Sequence, residues 1–550
     1  MSSPIATYVA LSLSASRYEV KAALQRLIHT PVDKLTIKDR EELAQAILDD
    51  VKDRKGRLSQ NEIPTTLLAL KDIGRNVTCS HVIVKQQNFE ILWGLATATR
   101  EQDAEAALEA MRCIANALLL IDTSRDTLLE LRGGERCVEM LERSTNPQSI
   151  FLASRILFLL TVEQRPFIRK LVQELRVVDI VAQKCDKLLS SLLAGQPMAK
   201  EAMIDLLKFT FNLLLQYPRL VDDDEGEGKE GESSFKGMMG ELWSDRLENL
   251  LPPLLRLFNE LPPTSPCPLA APLTHVIHSL IMIPISPRWF SASESSPTST
   301  EGSFPGDKLH RAVSALTSRR YSRSSSRSSL PAPLSFVPRD TVQRAWDLFE
   351  ATTAYYVPDD PDDPSVRELC KTEGIDLHDT LSPLVVLLTR LATADSAARI
   401  RMRNWILPAD LDRTSPLEHR KDLLGRCLRL MSSISFANVK SAVDELLFTI
   451  CDSDPAILAG QVGYGNCAEF LFNKGIMSPP VGISDAEGNI INPITGIRNT
   501  EREANPFIIF DRLEKPLSVG RTFLSQTVDR WEGVFNGEIF LLTRFFFMIR

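Results

Sequence analysis

The sequence predicts an all-α protein built as a solenoid of stacked helical repeats. Similar apolar segments recur along the chain, and within them the apolar residues lie three and four positions apart, as on one helix face. The segments recur at intervals of roughly 40 to 65 residues, which fits repeats of the armadillo/HEAT kind. Strand-like alternation is nearly absent. We therefore predict an armadillo/HEAT-like α-solenoid over residues 1–477, because each amphipathic helix can bury its apolar face only against its neighbours.

The apolar segments fall into two runs. The first run contains TTLLALKDIGR, AMRCIANALLL, SRILFLL, LLKFTFNLLL and LTHVIHSLIMI. The second run contains LSPLVVLLTRLA, KDLLGRCLRLM and SAVDELLFTIC. Phe158, Phe209 and Phe211 lie within continuous apolar stretches, so they are predicted to belong to the core rather than to a contact surface.

Two polar insertions interrupt the array and are predicted to be disordered, because they contain little that could be buried. The first, at about residues 222–236, contains DDDEGEGKEGE, and the second, at about 288–335, contains SRRYSRSSSRSS. Four arginines of the second insertion could bind RNA, although a solvated linker is favoured: Arg319, Arg320, Arg323 and Arg327. Beyond residue 477 the sequence becomes irregular, so residues 478–550 are predicted to form a C-terminal extension.

Composition narrows the possible functions. The chain has 550 residues and a net charge of −8, which argues against a general nucleic-acid-binding protein. Nine cysteines without a CxxC pair predict reduced, buried thiols in a cytosolic protein. His275 and His278 are three residues apart on an apolar helix, where a core or helix-surface role is favoured over a metal site. Neither a membrane span nor a secretory signal is predicted.

The segment GQVGYGNCAEFLFNKG, from Gly460 to Gly475, raises the possibility of a phosphate-binding loop. Such a loop follows a strand, opens a helix and, in its P-loop form, ends in Gly-Lys-Ser or Gly-Lys-Thr. Here the preceding segment has helical spacing, and the Gly-Lys-Ser/Thr ending is missing. Gly463 and Gly465 are therefore predicted to lie at a corner between two helices, and a nucleotide-binding enzyme is the less favoured alternative.

Several segments resemble the synembryn family, the resistance-to-inhibitors-of-cholinesterase proteins. The similarity covers about residues 60 to 515 and includes MRCIANALLL, SRILFLLTVEQRPFIRKLVQEL, ARIRMRNWILP, INPITG and FDRLEK. Its most specific part is VGYGNCAEFLFNKGIM. Members of this family act as guanine nucleotide exchange factors and folding chaperones for heterotrimeric G-protein α subunits (Gα).

The resemblance implies that the protein acts by binding, without catalytic residues, a cofactor or a metal ion. The concave face of the solenoid is expected to capture the C-terminal helix and free carboxylate of Gα, whether GDP-bound, nucleotide-free or nascent. Withdrawal of that helix loosens GDP, and the groove stabilises the nucleotide-free state by differential affinity. A cytoplasmic monomer is expected, reaching the cell cortex through Gα, with no nucleic-acid partner and no stable membrane insertion.

Two pairs of cationic side chains are candidates for holding an acidic partner. Each pair has four-residue spacing on a predicted helix: Lys71 with Arg75, and Arg399 with Arg403. Like charges at this spacing disfavour an isolated helix, so an anionic partner would explain them. Charge alone favours a solvated helix face, whereas the match to basic groove positions of the family favours Gα binding.

Two asparagines within apolar helices, Asn116 and Asn212, are further candidates for Gα binding. A polar amide at such a position either satisfies a neighbouring backbone group or bonds the main chain of a bound peptide, as asparagine does in armadillo repeats. For Asn116 the family match favours a position in the groove, where its amide would bond a bound peptide. Asn212 lies in a similar apolar segment and is the weaker candidate.

The acidic, phosphorylatable segment that follows the last repeat in the family is reduced here to Ser484-Asp485-Ala486-Glu487. Ser484 is the candidate phosphorylation site, because acidic residues follow it.

The main alternative function is an armadillo-type adaptor or transport receptor without exchange activity. Such a protein would hold extended basic peptides in acidic, tryptophan-lined grooves. The two basic pairs and the presence of only six tryptophans, irregularly spaced, argue against it.

Overall fold

The structure is a computed structural model that describes residues 4–11, 15–28, 36–53, 58–98, 103–162, 165–226, 242–286, 289, 340–476, 492 and 495–497. None of these residues lies in a β-strand, which confirms the predicted all-α class. The α-helices are α1 (Pro4–Val9), α2 (Arg17–Ile28), α3 (Ile37–Lys52), α4 (Ile63–Ile73), α5 (Val77–Ile83), α6 (Gln86–Ala96), α7 (Ala104–Leu120), α8 (Thr123–Glu130), α9 (Gly133–Arg143), α10 (Pro147–Leu160), α11 (Arg165–Gln173), α12 (Val177–Leu193), α13 (Ala199–Gly226), α14 (Leu251–Glu260), α15 (Leu273–Leu280), α16 (Thr341–Tyr356), α17 (Pro364–Glu373), α18 (Leu377–Ala394), α19 (Ser396–Ile406), α20 (Leu423–Met431), α21 (Ala437–Ile450), α22 (Pro455–Val462) and α23 (Tyr464–Asn473). Short 3₁₀ segments lie at Gln60–Glu62, Asp245–Leu250 and Leu417–His419.

Many of the helices form groups of three in which the last helix is the longest: α5–α7, α8–α10, α11–α13, α16–α18 and α19–α21. The last helices stack on one another, and α4 and α15 complete the series. We call the resulting stack of α4, α7, α10, α13, α15, α18 and α21 the central row, because each of these helices packs against the next. Successive units that contact only their neighbours in this way form an α-solenoid, as predicted.

Local sequence signals explain where several of the helices begin. Asn146 caps α10, since its side-chain oxygen accepts a hydrogen bond from the Gln148 N–H at 3.0 Å and Pro147 occupies the first turn. Aspartates cap α16, α18, α19 and α22 in the same manner.

The helices enclose a continuous apolar core. Phe158, Phe209 and Phe211 are at most 9% exposed, which confirms their predicted place in it. All nine cysteines are free and buried, in agreement with the sequence analysis. Burial raises the pKa of the Cys185 and Cys427 thiols to about 12, so these thiols stay protonated and unreactive at neutral pH.

Side chains also join neighbouring helices of the central row. Asn116 on α7 donates from Nδ2 to the Lys71 carbonyl oxygen of α4 at 3.3 Å. Asn212 on α13 donates from Nδ2 to the Phe158 carbonyl oxygen of α10 at 3.2 Å. These two contacts bond carbonyl oxygens near the C-terminal ends of α4 and α10, where helices leave carbonyl groups without their regular intrahelical partners.

The acidic insertion begins later than predicted. α13 continues to Gly226, so residues 222–226 extend the helix rather than opening a loop. Leu220 is buried and Val221 is half-buried, so the apolar contacts of α13 reach almost to that point and keep its last turns helical. Residues 227–241 and 290–339, which include the four arginines of the second insertion, lie outside the described residues, as does Ser484. The division of the chain at residue 477 stays a prediction.

Gly463 forms the predicted corner between two helices, whereas Gly465 lies in the first turn of α23 and not at the corner. Gly463 joins α22 directly to α23 with a φ of 84°, a backbone conformation that favours glycine. Thr495 and Gly496 pack on this corner, so a Cβ atom at Gly463 would lie 2.6 Å from the Thr495 carbonyl carbon. Arg413 secures the contact, because its Nη1 donates to the carbonyl oxygens of Gln461 and Gly496 at 2.8 and 3.0 Å.

We expect Gly463→Ala to destabilise the protein more than Gly475→Ala does. Both glycines have positive φ, 84° and 81°, so alanine strains the backbone by about 1–3 kcal/mol at either position. Only at Gly463 would the new methyl group also press on the backbone of Thr495, since the space around Gly475 is open. Urea denaturation of both variants and hydrogen exchange at the Gly496 amide measure the difference. Equal losses of stability, with Gly496 equally protected, would contradict the role given to the corner.

Candidate functional site

Lys71 and Arg75 lie at the C-terminal end of α4 and just beyond it. Both approach the same carboxylate: the Lys71 Nζ and Arg75 Nη2 atoms are each 3.7 Å from Asp72 Oδ1. The Lys71 side chain is 18% exposed and that of Arg75 is 54% exposed. Because Asn116 bonds the Lys71 carbonyl oxygen, three of the candidate residues come together where α4 meets α7. We call Lys71 and Arg75 the first basic pair.

Arg399 and Arg403, the second basic pair, lie one turn apart on α19. They share the carboxylate of Asp452, which follows α21: Arg399 Nε donates to Oδ1 at 2.9 Å, and Arg403 Nη1 donates to Oδ2 at 2.5 Å. Arg399 also donates from Nη1 to the Ala392 carbonyl oxygen at 3.1 Å. The hydrogen bond from Arg403 is the largest cause of a lowered pKa at Asp452. The pair thus already holds one carboxylate with two guanidinium groups.

The structure does not bring the two basic pairs together. The first pair belongs to α4, at one end of the central row, whereas α19 packs on α18 and α21 at the other end. Packed helices lie about 8–10 Å apart, so the five steps from α4 to α18 measure about 40–50 Å along the row. One carboxylate therefore cannot contact both pairs, and the binding of Gα by these four cations stays a prediction.

Both candidate asparagines satisfy backbone carbonyl groups, one of the two possibilities left open by the sequence. Asn212 is only 3% exposed, and its Nδ2 also donates to Thr161 Oγ1 at 3.0 Å. Its amide therefore holds α10 and α13 together and presents little surface. Asn116 is half-buried and keeps part of its amide at the surface. Contact with a partner stays a prediction for both.

A charged cluster in the middle of the central row was not identified from the sequence. Arg155 on α10 forms an ion pair with Asp205 on α13, with an Nε–Oδ2 distance of 2.9 Å, and its guanidinium lies 4.5 Å from the centre of the Phe151 ring. Lys208 Nζ lies 5.9 Å from the centre of the Phe158 ring. Burial raises the pKa of Asp205 and lowers that of Lys208. The signal in the sequence was the presence of charged residues inside otherwise apolar helices.

Two half-buried histidines on α15 continue this cluster. The ring centres of His275 and His278 are 6.1 Å apart, and His278 Nε2 donates to the Asp379 carbonyl oxygen of α18 at 3.0 Å. Burial is the main cause of their lowered pKa values, well below the usual range for His275 and about 4 for His278. Both rings are therefore neutral at pH 7, which agrees with the core or helix-surface role predicted for them.

No group of three His, Cys, Asp or Glu side chains within the described residues is arranged to hold a metal ion. Over the same part of the chain, every helix is too short or too polar to cross a bilayer.

A solenoid with cations and aromatic rings along one continuous row defines a helical-repeat protein, a class that uses extended surfaces to bind other macromolecules. The family model described as "Guanine nucleotide exchange factor synembryn" matches residues 66–509, which include the whole central row from within α4 onward. The chain belongs to this family.

Relatives of the chain either have low sequence identity to it or match only a short segment of it. "Chaperone Ric-8A" of Macaca fascicularis is 22% identical over 85% of this chain and 80% of its own length. "Chaperone Ric-8B" of Rattus norvegicus is 20% identical over 76% of this chain and 77% of its own length. "Chaperone Ric-8A" of Danio rerio is 32% identical, but the matched segment spans only 24% of this chain and 26% of that protein.

Two solved structures that resemble the chain have lower sequence identities than these relatives. A designed armadillo repeat protein in complex with the peptide (KR)4 covers 51% of this chain and 98% of its own, with 15% identity and a TM-score of 0.35. An engineered protein covers 86% of this chain and 84% of its own, with 14% identity and a TM-score of 0.44.

We expect His275 and His278 to make stability depend on pH. Below about pH 6.5 the unfolded chain protonates them, whereas the folded chain does not until its own, lower pKa values are reached. Stability is therefore fully present above pH 6.5 and falls between about pH 6.5 and 4, by up to about 1.4 kcal/mol per pH unit for each histidine.

Replacing one histidine should reduce this pH dependence. Urea denaturation at pH 5 and pH 7 should show a smaller stability difference for His278→Gln than for the wild type. The exposed His419 provides the matched control, His419→Gln. An unchanged pH dependence in the His278 variant would contradict a His278 that stays neutral in the folded chain.

Proposed function

We propose that this protein is a guanine nucleotide exchange factor and folding chaperone for G-protein α subunits, and that it acts by binding rather than by covalent chemistry. The observation that carries the proposal is the family match over residues 66–509, which spans nearly the whole described solenoid. Names of the relatives support the chaperone role. The basic pairs and the charged cluster give the central row a surface that suits an acidic, amphipathic helix.

In this proposal the C-terminal helix of Gα lies along the central row. The helix contacts the G-protein core in the GDP-bound state, so its capture by the solenoid favours the open, nucleotide-free state. A ligand shifts such an equilibrium only as far as it binds one state better than the other. The row therefore has to prefer the released helix over the docked one, and GTP binding then resolves the complex.

The two basic pairs would contact different acidic groups of Gα. A helix rises 1.5 Å per residue, so about 27–33 residues would be needed to follow the path of about 40–50 Å along the row from one pair to the other. We assign a carboxylate of Gα to Arg399 and Arg403, because their guanidinium groups already converge on the Asp452 carboxylate. We assign a second acidic group to Lys71 and Arg75, with the exposed part of the Asn116 amide beside it. Arg155 and Lys208 lie between these two sites.

Exchange activity is the first test. The purified chain should accelerate GDP release from Gα and should bind no guanine nucleotide itself, because the nucleotide belongs to the partner. Release of a fluorescent GDP analogue and direct binding of labelled GTP measure the two quantities. Saturable GTP binding by the chain alone, without an effect on Gα, would overturn the proposal in favour of a nucleotide-binding enzyme.

Charge reversal at the two pairs is the second test. Arg75→Glu and Arg403→Glu should each weaken binding of a Gα C-terminal peptide, and together they should lower affinity at least about tenfold, since charge-assisted hydrogen bonds are lost and repulsion is added. The two effects should add, because the sites are far apart. Melting temperature should change little, since surface ion pairs contribute only about 0–1 kcal/mol.

The matched control reverses two exposed arginines outside the central row, Arg136→Glu with Arg176→Glu, which changes the net charge equally. It should bind the peptide as the wild type does. Pull-down with a basic localisation peptide tests the adaptor alternative. Unchanged Gα-peptide affinity combined with a collapsed melting temperature would show that the two pairs are structural.

A further inference from the structure

We propose that Asp452 is a built-in competitor that occupies the carboxylate site of Arg399 and Arg403 until a carboxylate of the partner displaces it. This inference rests on the proposed function, because it assumes that the second basic pair receives an acidic group of Gα. It assigns a regulatory role to a residue outside the helix that carries the two arginines.

The contacts of Asp452 are those of a ligand in a receptor site. Its two carboxylate oxygens are bonded separately, Oδ1 by Arg399 at 2.9 Å and Oδ2 by Arg403 at 2.5 Å. Two cations share one anion, so the group keeps a net charge of about +1 and still attracts an incoming carboxylate. The side chain of Asp452 is 40% exposed, and those of the arginines are 26% and 27% exposed, so solvent and a partner can reach all three.

The backbone at Asp452 is strained. Asp452 and Ser453 have φ values of 59° and 57°, so two consecutive residues other than glycine occupy the left-handed region. Such conformations persist only where the surroundings enforce them, and they are concentrated at ligand clamps and switches. Backbone hydrogen bonds to the end of α21 hold this turn, from the Asp452 N–H to the Thr449 carbonyl oxygen and from the Ser453 N–H to the Phe448 carbonyl oxygen, both at 3.0 Å, so the turn presents the carboxylate to α19 from a fixed position.

Two other aspartates with ion pairs in the described part of the chain, Asp72 and Asp186, lack this arrangement. Asp72 lies on the same helix as Lys71, and a single oxygen atom approaches both cations of the first pair at 3.7 Å. Asp186 accepts two hydrogen bonds, both 2.9 Å long, from a single arginine, Arg256. Among these three aspartates, only Asp452 has its two carboxylate oxygens bonded by two different arginines. Asp452 follows α21, whereas both arginines lie on α19.

Competition and preorganisation predict opposite results. If Asp452 competes with the partner, Asp452→Asn removes the competing charge and raises affinity. If Asp452 instead holds the arginines in place for the partner, the same change lowers affinity. Exposed ion pairs are weak, so we expect a gain of about three- to tenfold in affinity for an acidic ligand, and part of it should appear in the association rate.

The experiment uses the full chain and two probes: a synthetic peptide of the Gα C-terminal helix with a free carboxylate, and hexaglutamate. Affinities are measured by fluorescence anisotropy for the wild type, Asp452→Asn and the control Asp186→Asn, which removes the same charge from an ion pair outside the central row. Asp452→Asn should bind both probes about three- to tenfold more tightly, and the control should match the wild type. Adding Arg403→Gln to Asp452→Asn should abolish the gain. Melting curves establish that the variants fold.

The possible outcomes separate the role of Asp452 from the proposed function. Equal or weaker binding of both probes by folded Asp452→Asn would overturn the role of Asp452 as a competitor. An equal gain in the Asp186→Asn control would overturn it as well, because net charge would then explain the result. A gain for hexaglutamate, in a protein that neither binds the Gα peptide nor accelerates GDP release, would support the occupied carboxylate site and overturn the proposed function.

Discussion

Burial of each central-row helix between its two neighbours is the constraint on which the rest of the structure depends. α10, for example, packs against both α7 and α13, and Ile150, Ala153 and Leu157 are completely buried there. No single three-helix unit could cover these side chains, so the units are stable only as a stack. The same stacking places the remaining side chains of successive row helices beside one another, which is how residues far apart in sequence form a common surface.

The stacking also decides which polar groups can be buried. Asn212 and Asp205 are nearly inaccessible, yet each contacts a group on the neighbouring helix α10 that offsets the loss of solvation. Arg390 on α18 donates from Nη2 to the Ile283 carbonyl oxygen beyond α15 at 3.1 Å and links the two parts of the row in the same manner. These polar contacts fix how neighbouring units align, which apolar contacts alone specify less strictly.

Electrostatics divides the row into distinct regions. Each end carries two cations that share one aspartate, so both ends keep an excess of positive charge although the whole chain is acidic. The middle contains a buried ion pair and two neutral histidines, whose pKa values burial has lowered. A partner helix with acidic groups at two positions and an apolar face between them would match this order, and an extended basic peptide would not.

Local patterns in the sequence determined the helical class, the repeat architecture, the buried phenylalanines and cysteines, and the glycine corner at Gly463, because helical periodicity and glycine conformation depend on near neighbours. The sequence also identified the basic pairs as charges at four-residue spacing. Only the tertiary structure decided that Asp452 lies between Arg399 and Arg403, that Arg155 pairs with Asp205, and that the two basic pairs lie at opposite ends of the row. Those arrangements depend on how one repeat packs on the next, across separations of about 50 residues that local periodicity does not encode.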